Sequence, residues 1–168
     1  MVIWLLGLSG SGKTTLGKRL QDYYKKKEKD VYLIDGDLVR SFFENDLGYT
    51  KEDRMENIKR IVFGAYLLEQ KNVITIVCNI SPFEELRQFA RRKLNHYIEV
   101  FLDREISQCI DNDVKTIYKQ NLGKTEIIGI DIEFDIPKQP DIVIDTGNQS
   151  EEESLAIIIN YLKGRITR

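Results

Sequence analysis

Cysteine and histidine are scarce in this chain of 168 residues, which holds two Cys, one His and three Pro. Cys78 and Cys109 lie far apart and form no C-x-x-C pair, so the sequence predicts neither a disulfide framework nor a structural zinc site. We expect two buried thiols in a reducing compartment. The single His96 excludes a histidine-rich metal site and leaves any Ser-His-Asp triad dependent on one residue.

Charge of one sign and long apolar runs are also lacking. The 25 Lys and Arg are balanced by 27 Asp and Glu, a formal net charge of −2, so we expect no binding to nucleic acid polymers or to anionic membranes. No apolar run approaches the roughly 20 residues that cross a bilayer. The segment 1–6 has neither the basic start nor the cleavage site of a targeting signal. We therefore expect a cytoplasmic protein with one domain over 1–168.

Strand and helix signals alternate along the chain, which predicts an α/β fold with a five-stranded, mostly parallel sheet and helices on both faces. The predicted strands are 2–6, 31–34, 72–78, 97–102 and 141–145, and the predicted helices are 13–27, 38–44, 51–70, 81–94, 105–112 and 150–163. Ser81 is the expected N-cap of the fourth helix, with Pro82 at its first position. The segment 113–140 shows neither pattern, and we expect a mobile lid at about 113–130 within it.

A glycine-rich loop, Gly7-Leu8-Ser9-Gly10-Ser11-Gly12-Lys13-Thr14, matches G-x-x-x-x-G-K-[ST] between the first strand and the first helix. In such a loop the N–H groups turn inward without Cβ clashes and form an anion nest at a helix N-terminus. Lys13 then bridges the β- and γ-phosphates, and the Thr14 hydroxyl contacts Mg²⁺. The motif predicts binding of a nucleoside triphosphate with Mg²⁺. The predicted donor-binding residues are Gly7, Ser9, Gly10, Ser11, Gly12, Lys13, Thr14 and Thr15.

Two landmarks of other P-loop proteins are missing. The chain has no N-K-x-D motif, which GTPase switches use to read guanine, and its third strand ends Val77-Cys78-Asn79 without the aspartate of helicase-like ATPases. The small size and the lid segment favour a small-molecule kinase. A non-catalytic nucleotide-binding module and a kinase for an unrelated metabolite are the alternatives.

Two carboxylates, Asp35 and Asp37, follow the second strand at the edge of the sheet where ligands bind. Such a pair can hold the waters of Mg²⁺ and orient an acceptor hydroxyl; the alternative is that Asp37 only caps the next helix. Arg40, one turn further, can clamp an anionic acceptor. Arg54 and Asn57 lie three positions apart beside the apolar stripe of the long helix, where the alternative is a simple solvent border.

Together these segments resemble the adenylylsulfate (APS) kinase family, P-loop kinases that phosphorylate the ribose 3′-hydroxyl of APS. The resemblance runs through nearly the whole chain. Beyond the P-loop its motifs are Asp35-Gly36-Asp37-x-Val39-Arg40, Asp46-Leu47-Gly48-Tyr49, Asp53-Arg54-x-Glu56-Asn57-Ile58, Ile80-Ser81-Pro82, Ile98-Glu99-Val100-Phe101, Tyr118-Lys119, Gly129-Ile130-Asp131 and Asp145-Thr146-Gly147. It implies a P-loop kinase fold, ATP and Mg²⁺ as cofactors, a small-molecule nucleotide as acceptor and often a homodimer.

The resemblance also implies roles for individual residues. Asp37 orients or deprotonates the acceptor hydroxyl, and Lys13 and Lys115 act on the transferring phosphoryl group. Thr14 and Asp35 hold the metal, and Asn112 lies near the ATP adenine. The implied acceptor-binding residues are Asp35, Arg40, Tyr49, Arg54, Asn57, Ile80, Ser81, Lys115, Ile127, Ile128 and Gly129. Ser81 also matches a serine that can carry phosphate in the family.

Some positions depart from the family pattern. Ile127-Ile128-Gly129-Ile130 replaces F-T-G-I, in which the phenylalanine stacks on the APS adenine, and Asn112 replaces an arginine near the ATP adenine. Loss of base stacking costs about 1–3 kcal/mol. A pyrimidine offers less stacking area, so the preferred acceptor is cytidine diphosphoramidate, the substrate of an APS-kinase-like enzyme of capsular phosphoramidate synthesis. APS itself is the alternative.

Overall fold

The computed structural model describes residues 1–112, 118 and 126–166, the last three as backbone only. Five strands and six helices alternate within these residues. The strands are β1 (Val2–Leu6), β2 (Val31–Asp35), β3 (Ile74–Cys78), β4 (Tyr97–Asp103) and β5 (Ile142–Asp145). The helices are α1 (Lys13–Lys25), α2 (Gly36–Phe42), α3 (Lys51–Gln70), α4 (Glu84–Lys93), α5 (Ile106–Asp111) and α6 (Glu151–Ile166).

The five strands form one parallel sheet in the order β2-β3-β1-β4-β5. β1 lies at the centre, and every one of its residues is buried, because helices cover both faces of a parallel sheet. Trp4 and Ile61 belong to the core beneath α3 and α4, whereas Leu5 and Leu20 belong to the core beneath α1 and α6. The predicted fold class is confirmed. All five carboxyl ends lie at one edge, which is where P-loop chemistry is expected.

The long helix α3 has the same bounds as its prediction, because its signals are local. Thr50 and Asp53 form a capping box, in which the Thr50 hydroxyl accepts from the Asp53 N–H at 3.2 Å. Within the described residues, no helix has both the length and the apolar character needed to cross a bilayer.

The prediction that Ser81 caps the fourth helix is wrong. Ser81 has a φ of +49°, and α4 begins only at Glu84. The Ser81 hydroxyl accepts from the Trp4 indole at 2.8 Å, so it is not available to the helix. The Glu84 N–H donates instead to Asp135 Oδ2 at 2.9 Å, a partner distant in sequence that no local pattern reveals.

Candidate active site

A cleft of about 530 Å³ opens at the carboxyl edge of the sheet. It brings together most of the residues that the sequence singled out. The predicted residues that line it are Ser9, Gly10, Ser11, Gly12, Lys13, Thr14, Thr15, Asp35, Asp37, Arg40, Tyr49, Arg54, Asn57, Ile80 and Asn112. Donor and acceptor predictions therefore converge on one cavity.

The P-loop needs its glycines for two different reasons. A Cβ on Gly10 would lie 2.5 Å from the Cys109 carbonyl oxygen, and one on Gly7 equally close to the Leu102 carbonyl oxygen, so side chains there would collide with backbone. Gly12 has a φ of +93°, and no atom lies within 4 Å of a Cβ built on it. This open space at the N-terminus of α1 fits a phosphate group.

Lys13 folds back over the loop. Its Nζ donates to the carbonyl oxygens of Gly7 at 2.9 Å and Leu8 at 2.5 Å. The ammonium group is therefore held at the inner side of the loop, beside the space that a phosphate would fill. A cation in this position can neutralise the charge of a transferring phosphoryl group.

The two predicted metal ligands meet at the mouth of the P-loop. The Thr14 hydroxyl donates to Asp35 Oδ2 at 2.9 Å, although the residues are 21 positions apart. The described part of the chain contains no cluster of three His, Cys, Asp or Glu side chains that could hold a metal. One hydroxyl and one carboxylate nevertheless fit Mg²⁺, which keeps several waters and takes its other ligands from substrate phosphates.

Asp35 and Asp37 have separate tasks. Asp35 is the N-cap of α2, and its Oδ1 accepts from the Asp37 N–H at 2.9 Å. The alternative that Asp37 only caps this helix is therefore wrong. Asp37 lies in the first turn of α2, is exposed and lines the cleft. Position and exposure leave it accessible to an acceptor hydroxyl.

Two arginines make the acceptor side of the cleft cationic. Arg40 is buried and donates to the Leu47 and Gly48 carbonyl oxygens at 3.1 and 2.8 Å. Arg54 donates to the Tyr49 carbonyl oxygen at 2.8 Å and to that of Glu126 at 3.1 Å. Burial, and then the Arg40 charge, lower the pKa of the Arg54 guanidinium. Two neighbouring guanidinium groups that are partly desolvated favour an anionic ligand.

Tyr49 and Asn57 complete this side of the cleft. Both guanidinium groups lie over the Tyr49 ring, at 4.6 Å for Arg40 and 5.4 Å for Arg54, which holds an exposed aromatic ring at the cleft. Asn57 is 2% exposed, and its amide donates to the Gly36 carbonyl oxygen at 3.4 Å. Its Oδ1 is buried without a hydrogen-bond partner, which suits a site that a polar ligand completes.

Several predicted residues do not reach the cleft. Ile127 packs with Cys109 and Tyr118 in a small core cluster. Gly129 turns the chain at a φ of +91° beside Leu8. The residues predicted for the site that do not line the cleft are Gly7, Ser81, Ile127, Ile128 and Gly129, and both isoleucines are buried. Ile127 therefore does not line the cleft in this structure, and its placement at the acceptor base stays a prediction. Lys115 and most of the predicted lid lie outside the described residues.

The cleft residues that were not predicted to act there include the polar residues Asn79, Arg104, Thr146 and Gln149. Arg104 and Thr146 directly follow β4 and β5, so their position at carboxyl ends of predicted strands was a usable signal. Gln149 has a buried Oε1 without a partner, a property that only the tertiary structure reveals.

The parallel sheet, the P-loop and the paired aspartates define the chain as a P-loop kinase. A Sinorhizobium meliloti gluconokinase (16% identity, TM-score 0.68) and an Aquifex aeolicus shikimate kinase (19% identity, TM-score 0.55) have the same fold. These similarities concern the fold alone.

The chain belongs to the adenylylsulphate kinase family, whose pattern it matches over residues 1–145. It is 42% identical to the adenylyl-sulfate kinase of Pseudomonas aeruginosa over 96% of this chain and 85% of that protein. With the adenylyl-sulfate kinase of Halothermothrix orenii the identity is 40%, over 97% of this chain and 89% of the relative.

A solved structure agrees with this membership. The Mycobacterium tuberculosis APS kinase in complex with AMPPNP and APS superimposes with a TM-score of 0.90, at 32% identity over 96% of both chains. The chain is thus a phosphotransferase with an alcohol group as acceptor, and ATP with Mg²⁺ is its donor. Both predictions are confirmed at the level of the family.

Proposed function

We propose that this protein transfers the γ-phosphoryl group of ATP to the 3′-hydroxyl of adenylylsulfate. One observation carries the proposal: a single cleft holds the P-loop lysine, the Thr14–Asp35 pair, Asp37 and the arginine pair. Relatives about 40% identical are adenylyl-sulfate kinases, which favours the alternative of the sequence analysis. The preferred acceptor, cytidine diphosphoramidate, receives no support from the comparisons.

The preference for a pyrimidine acceptor depended on Ile127. That side chain is 5% exposed within its core cluster, so its identity says little about the base. Tyr49 lies on the cleft with half of its surface exposed, although Arg40 and Arg54 lie over its ring, and the exposed part of an aromatic ring can pack against a base. A purine, with its larger face, gains more from this ring than a pyrimidine does. We therefore favour adenine.

In the proposed mechanism, the protein contributes position and charge. The P-loop amides and Lys13 hold the triphosphate, while Thr14 and Asp35 would hold Mg²⁺, which when bound would neutralise part of the phosphate charge. Arg40 and Arg54 hold the anionic part of the acceptor. Asp37 then accepts the proton of the 3′-hydroxyl as that oxygen attacks the γ-phosphorus, the bond from the γ-phosphorus to the β,γ-bridging oxygen breaks, and ADP leaves. Lys115 and a lid at about 113–130 are proposed to exclude water.

A panel of acceptors tests the proposal directly. Purified enzyme is given ATP·Mg²⁺ with APS or with cytidine diphosphoramidate, and ADP release is followed with a coupled assay. We expect kcat/KM to be at least 100-fold higher with APS. A preference for the cytidine compound contradicts the assignment of the base but not the family. Absence of turnover with every nucleotide supports the remaining alternative, a non-catalytic binding module.

We also propose that the chain forms a homodimer through an aromatic face on β2, α2 and α3. The face consists of Tyr32, Leu38, Phe42, Phe43, Phe63, Tyr66 and Leu67, which are 39–79% exposed. At ~200 Å² per large side chain, they expose roughly 700 Å², close to the ~800 Å² that each partner buries in a stable interface. Sedimentation should show a dimer that Phe63→Ser weakens and Ile136→Ser does not; a monomeric wild type contradicts this.

The cytoplasmic location stays a prediction.

A further inference from the structure

Two side chains from outside the P-loop motif contact backbone carbonyl groups of that loop. Arg104 Nη1 donates to the Gly10 carbonyl oxygen at 2.9 Å, and its Nε donates to the Thr146 carbonyl oxygen at 3.1 Å. The Thr146 hydroxyl lies 3.0 Å from the Ser11 carbonyl oxygen and 3.2 Å from that of Asp103. Two consecutive carbonyl groups of the loop are therefore held by residues outside the motif.

We propose that Arg104 and Thr146 are positioning residues that aim the P-loop amides at the phosphates of the donor nucleotide. In a planar trans peptide, the C=O of one residue and the N–H of the next point in opposite directions. Holding the Gly10 carbonyl fixes the peptide whose N–H, that of Ser11, donates to the Leu8 carbonyl oxygen at 3.2 Å and closes the loop. Holding the Ser11 carbonyl fixes the next peptide, so the Gly12 N–H points away from Thr146, and a Cβ built on Gly12 would meet no atom within 4 Å.

The loop needs such support because of its own composition. Gly10 and Gly12 both have positive φ angles, and glycine backbones reach many other conformations at little cost. Without external contacts, binding of phosphate must order these peptides. Arg104 and Thr146 fix them beforehand, and preorganisation of this kind raises affinity without any new contact to the ligand.

The geometry of Arg104 indicates that this side chain fixes the loop through directional hydrogen bonds (a brace) and does not act only as a positive charge. Its guanidinium group donates to two different carbonyl oxygens, Gly10 and Thr146, which uses the planar fork of arginine. Both acceptors are uncharged backbone carbonyl groups. The contacts also join the loop after β1 to the loop after β5, across the neighbouring strand β4. A lysine carries its three N–H donors on one nitrogen, so it cannot reproduce contacts that Arg104 makes through separate nitrogens, Nε and Nη1.

Arg104→Ala tests the proposal by isothermal titration with AMPPNP·Mg²⁺ and by steady-state kinetics with APS. Loss of a charge-assisted contact predicts about a 10- to 100-fold rise in the nucleotide Kd. The KM for APS should stay within about twofold, because its side of the cleft does not contact Arg104. Arg92→Ala, an exposed arginine on α4, is the control and should leave both constants unchanged.

Chemical rescue separates geometry from charge. Ethylguanidinium should restore part of the nucleotide affinity of Arg104→Ala, whereas ethylammonium at the same concentration should not. Arg104→Lys should bind nucleotide nearly as weakly as Arg104→Ala. Thr146→Val keeps the side-chain shape but loses the hydroxyl donor, so it should raise the nucleotide Kd. It should also lower the Tm, because carbonyl oxygens that are buried or partly buried lose this donor, and the Kd is therefore measured well below the Tm of the variant. This variant also keeps the proposal testable if Arg104→Ala fails to fold.

Three results would overturn the proposal. These are an unchanged nucleotide Kd in both Arg104→Ala and Thr146→Val, equal rescue by the two cations, and a parallel loss of APS binding. The proposal depends on the proposed function only in placing the donor at the P-loop. If wild-type protein binds no nucleotide, that function fails; if it binds nucleotide and the variants bind it equally well, only the brace fails.

Discussion

Asp37→Asn separates the acceptor chemistry from the binding of ATP. Asparagine keeps the size of the side chain but cannot accept the proton of the 3′-hydroxyl. Removing a general base lowers turnover by about 10²–10⁴-fold, which corresponds to roughly 3–5 kcal/mol in the activation barrier. Asp37 contacts Asp35 through its backbone N–H, at the carboxylate oxygen that Thr14 does not use. The substitution leaves this contact in place, so the Kd for ATP·Mg²⁺ should change by less than about threefold.

The effect on stability should be small, since the α2 cap belongs to Asp35. A carboxylate in the first helical turn interacts favourably with the helix dipole, which is worth about 0.3–1 kcal/mol. For a domain of this size that amounts to a fall in Tm of roughly 1–4 °C. Glu52→Gln removes an exposed first-turn carboxylate from α3 and is the matched control, with the same small change in Tm and normal turnover.

The assay combines ADP release at saturating ATP and APS with titration calorimetry for ATP·Mg²⁺ and thermal melting. The expected pattern is a large loss of kcat, a preserved nucleotide Kd and a small change in Tm. If nucleotide affinity and turnover fall together by the same factor, Asp37 serves the donor or its metal and the reasoning is refuted. Turnover within threefold of wild type would equally remove its assignment as the base.

Three further predictions concern the loop, the core and alkaline pH. Lys13→Ala should abolish turnover and leave the far-ultraviolet circular dichroism unchanged; a wild-type rate would exclude the phosphate clamp. Ser81→Ala leaves the buried Trp4 N–H without its acceptor, so it should lower the free energy of unfolding in urea by about 1–3 kcal/mol. The KM for APS should not change, because Ser81 lies outside the cleft. A raised KM would indicate that Ser81 contacts the acceptor. Burial raises the pKa of Tyr24 from 10.0 to about 12, so between these values the unfolded state loses the proton and the native state does not. The stability that this burial contributes below pH 10 is thus lost as the pH rises toward 12. Between pH 9 and pH 11, the free energy of unfolding from urea titrations should fall less in Tyr24→Phe than in the wild type. An equal fall in both proteins would contradict the assignment.

Local patterns in the sequence were sufficient for the elements and for the donor loop. Val2–Leu6 and Lys51–Gln70 have their predicted bounds, because an apolar run or a capping box acts within a few residues. The P-loop is also a local feature, as its glycines and Lys13 act through the backbone of one turn. Because the carboxyl ends of parallel strands lie at one edge of the sheet, the sequence also predicted that Asp35 and Asp37 lie beside this loop.

Long-range contacts decided the remaining features. Ser81 has the spacing of a helix cap, yet Trp4, 77 positions away, takes its hydroxyl. Ile127 follows a family motif at the acceptor site, yet it is buried in a core cluster with Cys109 and Tyr118. Arg104 contacts Gly10 across 94 positions.

The division between the two kinds of feature has a physical reason. A cap or a hydrophobic period reflects interactions between residues that are neighbours in sequence, and these exist before the chain is compact. Which polar group finds which buried partner depends on how the sheet brings distant strand ends together, and each buried donor or acceptor must be satisfied there. The sequence alone therefore determined the strands, the helices and the triphosphate loop, whereas only the tertiary structure decided which side chains support that loop.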